Sequence, residues 1–194
     1  MSKSFEKFLK FFGEKEMDVE GSENVATFIE AFSGKEFGNG AFKVFKKEEI
    51  EKWTNIVWEM FPDFTMGFSI FGYDWLGRIY ATDTIGNVIF VFDPGTNDVM
   101  DLLCEFSFFI NKTLPKNAKD ILALKFYKKW LKKNDKPAYS NCVGYKVPLF
   151  LCGKDKIENC EETDMEVYWS ILAQIVAKIR EKTNGTVIDS FSIG

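Results

Sequence analysis

The chain lacks histidine altogether, since none occurs among its 194 residues. This absence excludes Ser-His-Asp and Cys-His catalytic machinery, histidine-ligated metals and the general base that enzymes use most often. The four cysteines are Cys104, Cys142, Cys152 and Cys160, and no two of them form a CxxC pair. Such spacing is unlike a zinc site, so we expect reduced cysteines, some of them buried, and neither a metal nor a cofactor.

Long apolar runs and an excess of positive charge are also missing. No stretch approaches the roughly 18 apolar residues that a membrane-spanning helix needs. Charged residues interrupt the phenylalanines of the first 16 residues, unlike a secretory signal. The formal net charge is −4, whereas nucleic-acid binding requires a clustered basic surface. The sequence therefore predicts no membrane association, no nucleic-acid partner and a cytoplasmic location.

Phenylalanine, in contrast, is abundant: the chain has 21, and hydrophobic residues make up 46% of it. A phenylalanine side chain buries a large area and has no polar atom to satisfy, so most of these residues are expected in a core. The length suits one domain, or one domain with a small attachment.

Residues 71–93, FGYDWLGRIYATDTIGNVIFVFD, are the most informative stretch. Two apolar-aromatic runs, 79–81 and 88–92, flank a short polar segment that contains Gly86. Because β-branched and aromatic residues fit a pleated strand and glycine suits a turn, this pattern predicts a β-hairpin. No nucleophile, base or metal set surrounds it, which favours a scaffold for binding over a reaction centre.

Hydrophobic periodicity and turn residues predict the remaining elements. Helices are expected over residues 5–12, 25–32, 46–60, 102–111, 117–132 and 165–182. Strands are expected over residues 41–45, 65–71, 78–82, 88–92 and, at the end of the chain, 186–193. Residues 144–152 indicate an edge strand or a loop, residues 93–98 a turn, and residues 153–163 an acidic loop.

This order of elements predicts an α+β fold in which helices flank a central, mainly antiparallel sheet. We assign residues 34–194 to one compact α+β domain and residues 1–33 to a short helical N-terminal extension. The lysines of the 117–132 helix alternate with aromatic residues, a pattern superficially like RNA binding. Those aromatic residues are expected to face the core instead.

Acidic side chains concentrate before the last helix. They are Asp155, Glu158, Glu161, Glu162 and Asp164. Such a group can steer a basic partner toward the protein. The alternative is a solvated loop that leads into a helix N-terminus, where acidic residues are favoured in any case.

Trp75 and Arg78 are candidates for an exposed recognition pair, because Trp and Arg dominate the hot spots of protein interfaces. The alternative is a buried Trp75 with the Arg78 side chain lying across it. Three aspartates, Asp74, Asp83 and Asp93, lie near strand ends, where a catalytic carboxylate pair can be assembled. Aspartate also favours turns, because its side chain accepts hydrogen bonds from nearby backbone amides.

Three segments resemble one bacterial domain family. They are GYDWLGRIYATD…GNVIFVFDPGTNDV, FSFFINKTL…ILALKFYKKWLKK and VPLFLCGKDKIENCEETDMEVYWSILAQIVAKI. The family comprises domains of unassigned function that also form the C-terminal part of immunity proteins of type VI secretion DNase effectors. Residues 34–62 resemble the GAD-like part that precedes this domain, so the resemblance covers roughly residues 34–193. The chain departs from the family at Cys152-Gly153, where a Gly-Gly pair is typical.

The resemblance implies a non-enzymatic protein that binds and blocks a cognate protein toxin made by the same cell. If that toxin is a nuclease, its basic cleft would suit an acidic inhibitor surface. SMI/KNR-type immunity domains share the α+β style and are a neighbouring possibility. A generic protein-interaction module is the alternative, followed by a carboxylate enzyme that uses Asp74 and Asp83. The sequence does not indicate an oligomeric state.

Overall fold

A six-stranded antiparallel sheet forms the centre of the protein in the computed structural model, which describes residues 4–17, 19 and 21–181. Its strands are β1 (Glu36–Phe37), β2 (Phe42–Val44), β3 (Phe68–Asp74), β4 (Ile79–Asp83), β5 (Ile89–Asp93) and β6 (Asp98–Leu102). Each strand pairs with its neighbour in chain order. A separate two-stranded ribbon joins β7 (Asn141–Tyr145) to β8 (Cys160–Asp164).

Helices surround these sheets. They are α1 (Glu6–Phe12), α2 (Val25–Phe32), α3 (Ile50–Met60), α4 (Phe106–Phe108), α5 (Leu114–Ile121), α6 (Leu124–Trp130) and α7 (Met165–Arg180). A π-helical segment, Phe109–Thr113, connects α4 to α5. None of the helices in the described part of the chain is long and apolar enough to cross a membrane.

The central sheet is buried on both faces, and its side chains alternate between them with the two-residue period of a strand. On one face, Ile79 and Phe92 belong to a cluster with residues of α3 and α7. On the other, Tyr80 and Val91 belong to a cluster with residues of α1, α2 and α5. The structure therefore confirms the predicted α+β fold, with an antiparallel sheet between helices.

Phenylalanine supplies much of this core, as predicted: 13 of the 20 phenylalanines in the described residues are buried. Many of their rings meet edge to face, an arrangement that adds to the gain from burial. Phe8 of α1 lies 4.7 Å from Phe37 and 6.2 Å from Phe42, measured between ring centroids. Phe28 of α2 lies 6.2 Å from Phe71 on β3. The first two helices thus pack directly on the sheet, while the domain boundary at residue 33 stays a prediction.

Two strands differ from the predictions. Strand β6 begins within the predicted turn and ends where a helix was expected, and the helix itself begins at Phe106. Strand β8 lies within the predicted acidic loop. Both strands are rich in acidic residues, which have low intrinsic preference for strands, and both exist because a neighbouring strand pairs with them.

Two further differences concern helices and chain ends. The helix predicted over residues 117–132 is divided in two, because Ala123 adopts a left-handed conformation with φ of 47°. The region 144–152 contains the end of β7 and a 3-10 turn, Leu149–Leu151. The predicted terminal strand, residues 186–193, lies outside the described residues.

Candidate partner-binding groove

A groove of about 860 Å³ opens where the β3–β4 turn, α6 and the β7–β8 ribbon meet. It is larger than two other surface cavities, of about 460 and 250 Å³. Its lining carries charges of both signs and several apolar side chains. The lining residues are Leu76, Arg78, Asp93, Ala123, Lys125, Phe126, Lys129, Tyr145, Leu149, Asp155, Lys156, Ile157 and Glu158.

The turn between β3 and β4 forms the inner wall, and Asp74 holds it in shape. One carboxylate oxygen, Oδ1, accepts hydrogen bonds from the backbone amides of Leu76 at 3.0 Å and Arg78 at 3.2 Å. The other, Oδ2, accepts from Arg78 Nε at 2.7 Å and also pairs with Arg78 Nη2 at 2.6 Å. Gly77, with φ of 77°, provides the left-handed residue that this tight turn requires.

The same turn anchors the C-terminal end of α5. Arg78 Nη2 donates to the Ile121 carbonyl oxygen at 2.5 Å, and the Tyr80 hydroxyl donates to the same oxygen at 3.1 Å. Trp75 Nε1 donates to the Leu122 carbonyl oxygen at 2.8 Å. The carbonyl groups at the end of a helix have no partner within it and carry partial negative charge, so a buried guanidinium suits this position.

These contacts locate the two residues that the sequence suggested as a recognition pair. Trp75 is completely buried, and its ring packs 4.7 Å from that of Tyr127. In this conformation a partner does not reach it. The Arg78 side chain is 12% exposed and faces the groove. Trp75 is thus buried, as the alternative interpretation has it, and the Arg78 side chain contacts Asp74 and Ile121.

The β7–β8 ribbon and the connection between its strands form the outer wall. The Tyr145 hydroxyl donates to Asp155 Oδ1 at 2.8 Å, which fixes this carboxylate at the rim. Asn159 closes the connection, because its amide donates to the carbonyl oxygens of Val147 at 2.8 Å and Lys154 at 3.0 Å. Glu158 is exposed on the rim. Two of the five acidic candidates, Asp155 and Glu158, therefore line the groove.

The other three acidic candidates lie outside the groove. Glu162 Oε1 accepts hydrogen bonds from the Ala138 amide at 3.1 Å and from Asn141 Nδ2 at 2.9 Å. These bonds connect β8 to the start of β7 and to the segment before it. Asp164 caps α7, because its Oδ1 accepts from the Val167 amide at 3.0 Å. Glu161 is exposed on β8.

The aspartates considered as a catalytic pair are both occupied by structural contacts. Asp74 is fully buried in its ion pair with Arg78. Asp83 Oδ1 accepts from the backbone amides of Asn87 at 2.6 Å and Val88 at 3.1 Å, the turn contact expected of an aspartate. The two aspartates do not line a common cavity.

Potential metal ligands are scattered. The described residues contain no group of three or more cysteine, aspartate or glutamate side chains placed to hold a metal ion. The four cysteines are free, and Cys142 and Cys160 are buried. Burial raises the pKa of the Cys160 thiol to about 12, so this group is a poor nucleophile at neutral pH.

Asp93 lies at the end of β5 and lines the groove. Its Oδ1 accepts from the backbone amides of Gly95 at 2.8 Å and Thr96 at 3.3 Å. Burial raises the pKa of the Asp93 carboxyl, and the Arg78 guanidinium opposes that rise. The sequence placed Asp93 near a strand end, but only the folded chain brings it beside Arg78, Tyr145 and Asp155.

Comparison with known proteins identifies the class to which part of the chain is related. Residues 105–176 match a family model described as T6SS immunity protein Tdi1, C-terminal. The match supports a type VI secretion immunity-type domain, and it confirms the resemblance seen in the sequence. The matched segment contains Tyr145, Asp155 and Glu158, whereas Arg78 and Asp93 precede it.

One solved structure is similar in fold over most of the chain. The crystal structure of Atu4351 from Agrobacterium tumefaciens is similar over 88% of this chain and 88% of that one, with a TM-score of 0.58 and 17% sequence identity. At that identity the likeness shows a common fold. A search of curated proteins gave no significant match.

Proposed function

We propose that this chain is an immunity protein that binds a cognate bacterial toxin and blocks it without catalysing a reaction. The observation that carries the proposal is the match of residues 105–176 to the immunity domain model. This segment supplies α6 and the β7–β8 ribbon, which form two of the three walls of the groove. A mixed polar and apolar concave surface is typical of a binding site.

Inhibition would follow from occupation of the groove by part of the toxin. Asp155, Glu158 and the adjacent Glu161 present negative charge to solvent at the rim and on β8. Charges in such positions accelerate the encounter with an oppositely charged protein, and buried contacts then slow dissociation. A nuclease is the toxin class that this chemistry suits best, because its substrate cleft is basic.

A carboxylate enzyme fits the structure less well. Its two candidate acids, Asp74 and Asp83, already accept hydrogen bonds from backbone amides and do not share a cavity. General acid–base catalysis needs a carboxyl group that can reach a substrate proton. A binding role places no such demand on these residues.

Survival of a sensitive host tests the proposal. The product of the gene next to this one would be expressed in a sensitive bacterium, alone, with this chain, or with an unrelated protein of similar size and charge. Death that only this chain relieves is the expected result. A toxin that kills equally in all three cultures, or a neighbour that is harmless, would overturn the assignment.

Charge reversal at the rim tests the steering step. Changing Glu158 and Glu161 to Lys together should slow association with the toxin by about tenfold at low salt, because steering contributes at least that factor. Neither side chain forms a hydrogen bond or ion pair with another described residue, so the fold should tolerate the change. Stopped-flow fluorescence over a range of salt concentrations measures the rate.

The matched control is the double change of Glu51 and Glu59 to Lys on α3. Both residues are exposed, the net charge changes by the same amount, and α3 does not line the groove. The control should associate at nearly the wild-type rate. Equal slowing in both variants would assign the effect to net charge and remove the rim from the mechanism.

A further inference from the structure

Two charged side chains, Arg78 and Asp93, line the inner end of the groove, and a third, Asp74, is buried against Arg78. The fully buried Asp74 carboxylate accepts a hydrogen bond from Arg78 Nε and forms an ion pair with Nη2. The charges of these two residues therefore balance each other. Asp93 makes no ion pair with any residue in the described part of the chain. The three groups together carry one uncompensated negative charge, and its position is the carboxylate that faces the groove.

The two oxygens of this carboxylate are not equivalent. Oδ1 is occupied by the backbone amides of Gly95 and Thr96. Oδ2 accepts no hydrogen bond from the described residues, although an ionised carboxylate can accept at both oxygens. The carboxylate is partly withdrawn from water, because Asp93 is half-buried while Oδ2 remains open to the groove, and this burial raises the pKa of Asp93. A cation placed at Oδ2 would relieve this penalty.

The walls beside Asp93 suit a planar cation. Phe126 and Tyr145 line the same groove, and the Tyr145 hydroxyl is directed to Asp155 at the rim. A guanidinium group stacks on aromatic rings, donates hydrogen bonds to carboxylates and is more weakly hydrated than an ammonium. Lys125, Lys129 and Lys156 also line the groove, and they disfavour a partner that carries several positive charges close together.

We propose that Asp93 is the anchor for a single arginine side chain of the partner, which enters the groove and places its guanidinium at the free carboxylate oxygen. The proposal rests on the immunity function, because it names the group that the toxin would insert. It also predicts a property of the isolated protein. The groove should recognise an arginine side chain even when the rest of the toxin is absent.

The first experiment uses the intact protein and a small probe, N-acetyl-arginine N-methylamide. Carboxyl carbon NMR of selectively labelled aspartate follows Asp93 during the titration. We expect a saturable shift with a dissociation constant on the order of 1–10 mM, as befits one anchored side chain. The citrulline analogue, which has the same shape and no charge, should bind about tenfold more weakly or not at all.

The decisive variant is Asp93→Asn. An asparagine keeps the Oδ1 acceptor used by Gly95 and Thr96, so the turn is retained while the charge is removed. Saturation-transfer NMR of the probe itself, which needs no Asp93 signal, compares this variant with the wild type. Binding of the arginine probe should fall by about tenfold or more, whereas the same change at Asp101, which is exposed on β6 and lies outside the groove, should leave it unchanged. Equal affinity for arginine and citrulline, or undiminished binding by Asp93→Asn with an unchanged melting temperature, would overturn the proposal.

The same variant separates this inference from the function on which it rests. If the chain protects the host and Asp93→Asn binds the toxin as tightly as the wild type, the arginine anchor is wrong and the immunity function stands. If the chain fails to protect while the isolated protein still selects the arginine probe through Asp93, the site exists and the immunity function is wrong.

Discussion

At the scale of single residues, Arg78 illustrates how a side chain at the edge of a binding groove can be mainly structural. Its guanidinium contacts the Asp74 carboxylate and the Ile121 carbonyl oxygen, which joins the β3–β4 turn to the end of α5. Removing one member of such a buried pair typically costs about 3–5 kcal/mol, because the other charge is left without a partner. Loss of toxin binding in an Arg78 variant would therefore not by itself identify a contact.

At the neighbouring positions Cys152 and Gly153, we expect substitutions to change the free energy of unfolding in opposite directions. Cys152 has φ of 63°, a left-handed conformation that costs about 1–2 kcal/mol for a residue with a side chain. Glycine avoids this strain but loses about 0.5–1 kcal/mol of chain entropy. Cys152→Gly should therefore raise the free energy of unfolding by about 0.5–1 kcal/mol, which urea denaturation can measure.

Gly153→Ala provides the opposing measurement. A Cβ atom at this position would lie 1.9 Å from the Val147 carbonyl oxygen and 2.7 Å from that of Pro148. The backbone must shift to accommodate it, so we expect a loss of about 1–3 kcal/mol. A stabilising Gly153→Ala, or a Cys152→Gly that destabilises, would show that this loop has a different conformation. The family that the sequence resembles typically has a Gly-Gly pair here, which would avoid both the left-handed strain at position 152 and the Cβ clash at position 153.

At the scale of elements, Lys43 on β2 fastens the segment that leads into β7. The side chain is fully buried, and Nζ donates to the carbonyl oxygens of Pro137 at 3.3 Å, Asn141 at 2.9 Å and also Ala138. Burial lowers its pKa from 10.5 to about 8. Between these two values the unfolded chain keeps a proton that the folded chain releases, so this group makes the protein more stable as the pH rises.

Comparison with Lys43→Met isolates this effect, because the other titrating groups are common to both proteins. The free energy of unfolding of the wild type, minus that of the variant, should increase by about 2 kcal/mol between pH 7 and pH 9.5. Urea denaturation at a series of pH values gives the difference. A constant difference over this range would mean that the buried amine keeps an ordinary pKa, and a decrease would reverse the assigned sign.

The elements also show which parts of the fold could be predicted from the sequence. Strand β5 was predicted because it is a short apolar-aromatic run beside a glycine turn, and helix α7 because its apolar residues recur with the helical period. Strand β8 was missed because Cys160 is its one buried residue, and its pairing partner β7 is distant in the chain. The break at Ala123 gave no signal, since alanine favours helices and its left-handed conformation is imposed by the surrounding structure.

Less of the candidate site than of the fold could be predicted from the sequence. The acidic group before α7 is visible in the sequence, but its division is not: Asp155 and Glu158 reach the groove, whereas Glu162 and Asp164 form backbone contacts. That division depends on which side of the ribbon each side chain occupies. Asp93 was recognised only as a turn residue or possible acid, because its neighbours in the groove are far away in the chain.

At the scale of the whole molecule, the two faces of the sheet have different compositions. The cluster under α1, α2 and α5 is rich in phenylalanine and contains no tryptophan. The tryptophans that belong to buried clusters, Trp53, Trp75, Trp130 and Trp169, lie in the other two. Tryptophan fluorescence therefore reports on regions away from the N-terminal helices, which makes it a probe of coupling between the two sides.

Phe8→Ala uses this probe to test whether the first helices and the sheet unfold as one unit. Phe8 is fully buried and packs against Phe28, Phe37 and Phe42, so its truncation should cost about 3–5 kcal/mol. If the core is cooperative, the tryptophan-monitored urea transition shifts by that full amount. Phe11→Ala on the same helix is the control: Phe11 is 39% exposed, and its loss should cost less than about 1 kcal/mol. An unshifted tryptophan transition in Phe8→Ala, together with early loss of helical signal, would instead make residues 1–33 an independently unfolding extension.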